Sequence, residues 1–217
     1  MVDPVAARQA MVDCQIRPSD VTNYAVIEAM LWAPREIFVP HGRREVAYAE
    51  AEVELAPGRA LLMPRTLAKM IEAADIGSGD LVLDLCPGTG YSTALLARMA
   101  EVVVAVEPDA TLAARAETLL AELEVDNAVV STGDPALGDR EHGPYDVVFL
   151  NGSVERVPDA LVDQIKQGGR LVTIMQSGAT GHCHRMVRAG EGVSSRAIFD
   201  ADGPLLPGFA REKQFTF

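Results

Sequence analysis

The segment from Asp84 to Tyr91 (DLCPGTGY) holds the residues whose types and spacing most clearly allow chemistry. It follows a short apolar run and precedes a helical pattern, which is the context of a nucleotide-binding loop. Gly88 and Gly90 lack a Cβ atom, so the backbone can turn tightly there and approach a ligand closely. The next apolar run ends at Glu107, where an acidic side chain can accept hydrogen bonds from both hydroxyls of a ribose. The pattern therefore predicts a site for a ligand that contains a nucleoside.

Two cofactors fit this arrangement, and the third position of the glycine pattern separates them. A dinucleotide such as NAD favours a small residue there, because the helix must lie close to the strand. The residue here is Thr93, and Asp84 places a carboxylate where it would repel a pyrophosphate. The same carboxylate suits the cationic methionine end of S-adenosylmethionine. The pattern favours S-adenosylmethionine over NAD, and a glycine turn that serves only packing is the third interpretation.

Two further polar segments follow later apolar runs. Gly133-Asp134-Pro135 can form a plain turn, or its carboxylate can accept a hydrogen bond from an adenine amino group. Asn151 follows the fourth run, at the edge where open α/β sheets bind their ligands. The predicted cofactor-binding residues are Asp84, Cys86, Gly88, Gly90, Tyr91, Glu107, Pro108, Asp134, Pro135 and Asn151.

Alternating strands and helices are predicted to position these residues. Five apolar runs without polar alternation are typical of parallel strands that are covered on both faces. They lie at residues 81–86, 102–106, 128–131, 147–150 and 171–175. Apolar residues between 112 and 123 recur at a helical spacing. The alternation predicts an α/β fold, a Rossmann-like, doubly wound and mostly parallel sheet with an N-terminal helical cap and C-terminal strands.

The N-terminal part, residues 1–76, is predicted to cap the sheet as part of a single domain. The cofactor-binding portion of that domain is residues 77–217. Asp20 is expected to cap a helix that ends near Trp32, because Asp is a preferred N-cap residue and a proline follows the helix. Pro64 is expected to begin a second helix with a regular apolar stripe.

The remaining segments carry weaker patterns. Residues 46–55 mix apolar and acidic side chains and suggest a short hairpin or an irregular strand. Residues 160–166 are predicted to form a helix that ends at two glycines. Residues 185–188 and 196–200 suggest two final strands.

The composition is that of an ordinary globular protein, and the formal net charge of −12 is spread along the chain. Binding to nucleic acid needs a basic surface, so a nucleic-acid partner is not expected. No apolar stretch reaches the ~18 residues needed to cross a bilayer, so no membrane partner is expected. The N-terminus lacks the pattern of a secretory signal, and the expected location is cytoplasmic. The pattern carries no prediction of the oligomeric state.

The cysteines and histidines do not predict a metal site. Cys14, Cys86 and Cys183 are widely separated and form no CxxC pair, which argues against a disulfide framework and structural zinc. Cys86 is interpreted as a core thiol, because no partner base is visible. His182 and His184 can share one face of a strand, but no third ligand is evident. A solvated edge strand is the preferred interpretation of that segment.

Several segments, in their order along the chain, resemble protein-L-isoaspartate O-methyltransferases. They are AMLWAPREIFVP (29–40), the Ala47-Tyr48 that follows, LVLDLCPGTGYSTALLA (81–97), NAVVSTGDPALG (127–138) and PYDVVFLNGSVERVPDALVDQIKQGGRLV (144–172). The resemblance implies a class I methyltransferase that uses S-adenosylmethionine and releases S-adenosylhomocysteine. It implies methylation of isoaspartyl carboxylates in damaged protein or peptide, followed by succinimide formation and partial return to aspartate. Such a carboxylate is already ionised at neutral pH, so this reaction needs no catalytic base.

One segment departs from the family. Its members typically carry a Thr-Ile-Ser-x-Pro-like stretch before the glycine loop, and the serine hydroxyl contacts the substrate carboxylate. Leu62 occupies the serine position here, and a leucine cannot donate a hydrogen bond. Arg59 and Thr66 are candidate donors in its place, Arg59 as a bidentate partner of a carboxylate. The alternatives are a related methyltransferase retargeted to another acceptor, such as a small molecule, or a cofactor-binding protein without transferase activity.

Overall fold

The computed structural model describes residues 3–178 and 180–211 of the chain. Within them, the α-helices are α1 (Pro4–Met11), α2 (Tyr24–Trp32), α3 (Pro64–Ala74), α4 (Tyr91–Ala97), α5 (Ala110–Glu122) and α6 (Asp159–Val162). The strands are β1 (Val53–Ala56), β2 (Arg59–Leu61), β3 (Leu81–Leu85), β4 (Val102–Glu107), β5 (Ala128–Thr132), β6 (Tyr145–Val154), β7 (Ile165–Ser177), β8 (Thr180–Ala189) and β9 (Gly192–Asp200). None of the described helices is long and apolar enough to span a membrane.

Seven of these strands form one mixed sheet in the order β5-β4-β3-β6-β7-β8-β9. The first five strands in this order are parallel to one another, and β8 and β9 continue the sheet in antiparallel pairing. Asp84 on β3 pairs in register with Ala105 on β4 and with Phe149 on β6. The ends of these parallel strands therefore meet at one edge, as the alternating pattern predicted.

The two faces of the sheet bury separate sets of side chains. Val82 belongs to the larger core, together with residues of α3, α4 and α5, whereas the next residue, Leu83, belongs to the smaller one. The smaller core is closed by Leu161 of α6 and by Leu206 and Phe209 near the C-terminus. Both faces of the central strands are thus covered, which explains their continuous apolar runs.

The helices α3 and α5 form where the apolar spacing predicted them. Pro64 is the first residue of α3, a position where its missing N–H is not needed. The buried positions of α3 include Leu67, Met70 and Ile71, which face the sheet. On the neighbouring helix, the carboxylate of Asp109 accepts hydrogen bonds from the Thr111 and Leu112 amides and caps α5.

The N-terminal segment shares the larger core with the sheet. Met11, Ile16, Met30 and Phe38 are fully buried or nearly so in that cluster. This packing favours one domain, although the boundary near residue 76 stays a prediction. The expectation that Asp20 caps α2 is wrong, because Asp20 has a left-handed φ of 63°. Asn23 is the cap instead, and its side chain accepts a hydrogen bond from Ala25 N at 2.9 Å.

The predicted helix over 160–166 is also wrong in its extent. Only the single turn of α6 is helical, and Ile165 already pairs with Tyr145 in the sheet. The amide of Tyr145 donates a 2.7 Å hydrogen bond to the carbonyl of Gln164. The backbone at Gln164 and Ile165 therefore pairs with β6 and does not form a second helical turn. Residues 46–55, predicted as a hairpin or irregular strand, contain the start of the β1–β2 hairpin.

The two final strands are confirmed but longer than predicted. They are β8 and β9, which form an antiparallel pair. The interpretation of the segment around His182 as an edge strand is wrong, because β8 lies between β7 and β9.

Candidate functional site

The carboxylate of Asp84 is buried at the end of β3 and takes part in a closed hydrogen-bond network. Its Oδ2 atom accepts from Ser92 Oγ at 2.9 Å and from Thr93 Oγ1 at 2.7 Å. Its Oδ1 atom accepts from the Asn151 side chain. Burial raises the pKa of Asp84 to about 6, although these three hydrogen bonds oppose the rise. Asp84 thus ties the loop after β3 to the first turn of α4 and to β6.

The loop Cys86–Gly90 uses the left-handed backbone that its glycines permit. Gly88 and Gly90 have φ values of 64° and 90°, and Cys86 adopts 59° despite its side chain. A Cβ atom on Gly90 would lie 3.0 Å from the Cβ of Ala116, so glycine there lets α4 and α5 approach closely. All five residues of the loop are buried, and the left-handed turn brings the amide of Gly88 onto Glu107.

Glu107 lies at the end of β4, completely buried, with four hydrogen-bond donors around its carboxylate. The amides of Gly88 and Asp109 donate at 2.8 Å and 3.1 Å. The guanidinium of Arg59 donates from both terminal nitrogens, Nη1 to Oε1 and Nη2 to Oε2, the second at 2.8 Å. Such a two-pronged pair is among the strongest side-chain interactions in proteins.

Arg59 was expected to face the acceptor, but the structure places its guanidinium on Glu107. The Arg59 side chain is 11% exposed and its Nη2 also donates to the carbonyl of Cys86 at 3.2 Å. Burial lowers the pKa of Arg59, but the hydrogen bond and charge of Glu107 outweigh burial and raise it overall. In this structure Arg59 is therefore not a free donor for a substrate carboxylate.

The other predicted cofactor-binding residues lie around the same edge, with one exception. Asp134 is exposed, caps the turn by accepting from Ala136 N at 2.9 Å, and is followed by a buried Pro135. Pro108 directly follows Glu107 and is partly exposed. Tyr91 has its ring fully buried against Phe38, away from the loop surface, so only its backbone remains next to the loop.

The side predicted to receive the acceptor carries the buried Leu62. Leu62 is 3% exposed, and its Cδ2 atom would lie 2.9 Å from a Cβ atom on Gly203. Its carbonyl accepts a 2.7 Å hydrogen bond from the buried Arg35. Thr66 is mostly buried and lines a cavity of about 280 Å³ whose wall also includes His182 and Asp200. Leu62 itself offers only methyl groups to any acceptor on this side.

The C-terminal segment covers the end of β6. Ser153 Oγ donates to the carbonyl of Gly203 at 2.9 Å, and Ser153 N donates to the carbonyl of Pro204 at 2.8 Å. A Cβ atom on Gly152 would lie 2.6 Å from Leu206 Cδ2, so glycine is needed for this contact. Gly203 therefore lies between Leu62 and the residues that follow Asn151.

The described residues contain no group of three or more potential metal ligands. His182 lies 2.9 Å from Asp200 and His184 lies 2.9 Å from the Ser195 hydroxyl, while Cys183 is buried on the other face of β8. Burial raises the pKa of the Cys86 thiol to about 12, so at neutral pH it stays protonated. The interpretation of Cys86 as an inert core thiol agrees with this environment.

Sequence reasoning missed the roles of three residues at the site. Ser92 and Thr93 hold Asp84, and the signal for them was two hydroxyl residues in the first turn after the glycine loop. Arg35 is completely buried, donates to Ala47 and Leu62 carbonyls at 2.7 Å, and lies 4.9 Å from the Tyr91 ring centroid. A buried arginine has no sequence signal, because its environment is formed by distant segments.

Comparison with known proteins identifies the family of the chain. The family model for protein-L-isoaspartate(D-aspartate) O-methyltransferase (PCMT) matches residues 6–198. A protein-L-isoaspartate O-methyltransferase from Roseiflexus castenholzii is 32% identical over 204 residues, which cover 94% of this chain and 93% of the relative. Protein-L-isoaspartate O-methyltransferase 2 from Pelobacter propionicus is 35% identical over 83% of this chain and 80% of its own length.

Solved structures show the same fold at lower identity. A protein-L-isoaspartate O-methyltransferase superposes with a TM-score of 0.80 at 22% identity, covering 93% of this chain and 66% of that chain. A putative protein-L-isoaspartate O-methyltransferase from Plasmodium falciparum, in complex with S-adenosyl-L-homocysteine, gives 0.78 at 17% identity, covering 95% and 99%. On the family match and the curated relatives, this chain belongs to the protein-L-isoaspartate(D-aspartate) O-methyltransferase family.

Proposed function

We propose that the carboxyl edge of the sheet binds S-adenosylmethionine and that the chain methylates isoaspartyl carboxylates in protein or peptide. Membership of the family supports the activity. The observation that carries the proposal is the buried carboxylate of Glu107 at the end of β4, beside the glycine turn. An acid at this position of a nucleotide-binding α/β fold accepts hydrogen bonds from ribose hydroxyls.

The residues at this edge fit the cofactor. Glu107 is buried and oriented by two backbone amides, which leaves two directions on its oxygens for paired donors. The guanidinium of Arg59 now uses both of these directions, so it acts as a stand-in for two neighbouring hydroxyls. The left-handed turn at Gly88 and Gly90 brings the loop backbone next to Glu107, with the Leu55 side chain lying over Gly88.

The chemistry asks little of this chain beyond binding and positioning. S-adenosylmethionine supplies a methyl group on a sulfonium, which an oxygen nucleophile accepts in a single displacement. An isoaspartyl carboxylate with an ordinary pKa near 4 is ionised at neutral pH and needs no base. Glu107 would orient the ribose and Asp84 would keep the loop in place through Ser92, Thr93 and Asn151. Leu62 and the C-terminal segment would exclude water from the acceptor.

Leu62 supports a second candidate, a methyltransferase of this family with another acceptor. An apolar, 3% exposed side chain gives no hydrogen bond to a carboxylate and favours contact with an apolar group. The second candidate therefore predicts an acceptor with less charge than isoaspartate, such as a small molecule.

The experiment that separates the candidates is transfer of a labelled methyl group to an isoaspartyl peptide. The matched control is the same peptide with a normal aspartyl residue at that position. Base-labile label on the isoaspartyl peptide alone is the expected result, and no label above the control would eliminate the first candidate.

Calorimetric titration with S-adenosylhomocysteine tests the cofactor site without reference to the acceptor. Loss of a hydrogen bond to a charged group costs about 1.5–3 kcal/mol, so Glu107→Gln should weaken binding about 10- to 100-fold. Binding without methylation of any carboxylate would favour a cofactor-binding protein without transferase activity. Absence of binding by the unaltered chain would contradict the proposed site.

We further propose that the chain repairs damaged protein in the cytoplasm. Repair follows from the acceptor, since esterification of an isoaspartyl carboxylate allows closure to a succinimide that reopens partly to aspartate. Cys14, Cys86 and Cys183 are free thiols, which supports a reducing compartment. A supporting result would be slower accumulation of isoaspartate in aged cell extract to which the chain and cofactor are added.

A further inference from the structure

We infer that Arg59 occupies the ribose position of the chain's own cofactor site and must leave Glu107 before the cofactor binds. The inference rests on the proposed function, because both concern the same carboxylate. We call this ion pair the Arg59–Glu107 latch.

The latch fills the remaining acceptor capacity of Glu107. An ionised carboxylate offers about four lone-pair directions. Oε1 accepts from Asp109 N and from Arg59 Nη1, and Oε2 accepts from Gly88 N and from Arg59 Nη2. All four directions are therefore used. Because the backbone amides are fixed by the loop and by the start of α5, paired hydroxyls can bind only in place of the guanidinium.

The latch residue Arg59 lies beside the turn of a hairpin outside the seven-stranded sheet. Arg59 is the first residue of β2, directly after the turn at Gly58, where φ is 73°. The β1–β2 hairpin pairs only with itself and is separate from the seven-stranded sheet. Side-chain contacts hold the hairpin, because Val53 and Leu61 are buried in the larger core. A further contact is Leu55, whose Cδ1 atom lies 2.5 Å from where a Cβ on Gly88 would be. Opening of the latch therefore requires rotation of the Arg59 side chain and no movement of the strands.

Only molecules with the latch open can bind the cofactor. The apparent affinity for the cofactor is therefore the affinity of the open form multiplied by the fraction of molecules that are open. Arg59→Met keeps a stem of similar length but removes every donor, so Glu107 is always available. The dissociation constant for S-adenosylhomocysteine should fall at least tenfold, which corresponds to an open fraction of at most about one tenth in the unaltered chain.

The test is isothermal titration calorimetry with S-adenosylhomocysteine on the unaltered chain and on Arg59→Met. Arg170→Met is the matched control, because Arg170 forms a comparably buried ion pair with Asp80, with side chains 13% and 18% exposed. That pair lies at the start of β3, at the opposite end of the strand from the site. The control should lower thermal stability without changing affinity.

The outcomes separate the latch from the cofactor site itself. Tighter binding by Arg59→Met alone supports the latch, and unchanged or weaker binding overturns it while leaving the proposed function intact. If neither the unaltered chain nor any variant binds S-adenosylhomocysteine, both the latch and the proposed cofactor site are overturned. If Arg59→Met does not fold by circular dichroism, Arg59→Lys decides, because lysine keeps the charge but not the two-pronged fork. Tighter binding by Arg59→Lys supports the latch, and unchanged or weaker binding overturns it.

Discussion

Replacing Leu62 by serine tests whether the acceptor side of this chain can be returned to the family pattern. The hydroxyl would stand where Leu62 now presents methyl groups to a covered, apolar wall. If an isoaspartyl carboxylate binds there, the hydroxyl can donate a hydrogen bond to it. A hydrogen bond to a charged group contributes about 1.5–3 kcal/mol, so kcat/KM for an isoaspartyl peptide should rise about 10- to 100-fold.

The same substitution should lower stability, and the size of that effect follows from burial. Leu62 is 3% exposed and belongs to the larger core. Truncating a buried leucine costs about 2–5 kcal/mol, and the buried hydroxyl does not offset this in the absence of substrate. In a domain of this size each kcal/mol shifts the melting temperature by about 2–4 °C, so a loss of roughly 10 °C is expected.

The assay is initial-rate methylation of the isoaspartyl peptide at a temperature where circular dichroism shows both proteins folded. Leu61→Ser is the control, because Leu61 is the preceding core residue and is 6% exposed. It should lose stability without gaining activity. Equal kcat/KM for the unaltered chain and Leu62→Ser, with both folded, would refute the assignment of this position to the acceptor carboxylate.

Two further predictions concern the cofactor loop. The pKa of Asp84 is raised by burial from 3.8 to about 6, so the folded chain binds a proton that the unfolded chain has released. The contribution of Asp84 to the free energy of unfolding should therefore fall by about 3 kcal/mol as pH rises from about 4 to 6, and urea titrations should show this difference between the unaltered chain and Asp84→Asn. Gly90→Ala should cost about 1–3 kcal/mol in thermal melts, because φ is 90° and a Cβ would lie 3.0 Å from Ala116. Gly42→Ala, where a Cβ meets nothing within 4 Å, is its control and should change stability little.

The sheet was predictable because strands that are buried on both faces appear in the sequence as short runs of apolar residues. Apart from Asp84 and Glu107 near their carboxyl ends, the strands β3 and β4 are apolar, since alternate residues such as Val82 and Leu83 enter different cores. The helix α3 was equally predictable, because its buried residues recur at the helical period.

The errors lie where two local structures compete. Residues 160–166 carry an amphipathic spacing that suits a helix, yet Ile165 is taken by pairing with Tyr145. Asp20 and Asn23 are both good N-cap residues, and backbone geometry outside the helix selects Asn23. In both places the deciding contact comes from the fold and not from the segment.

The residues of the candidate site also differ in whether local sequence or the tertiary fold positions them. Glu107 and Asp84 are positioned by the strands that carry them, so their location could be predicted from the ends of two apolar runs. The partners of Asp84 include Ser92 and Thr93, which lie in the first helical turn after the loop and are close in sequence. Arg59, in contrast, reaches Glu107 across 48 residues of chain. Its position depends on how a self-paired hairpin lies over the loop, which no local pattern records. Asp84 and Glu107 are thus positioned by local sequence, whereas tertiary packing positions Arg59, the residue of the latch that controls access to Glu107.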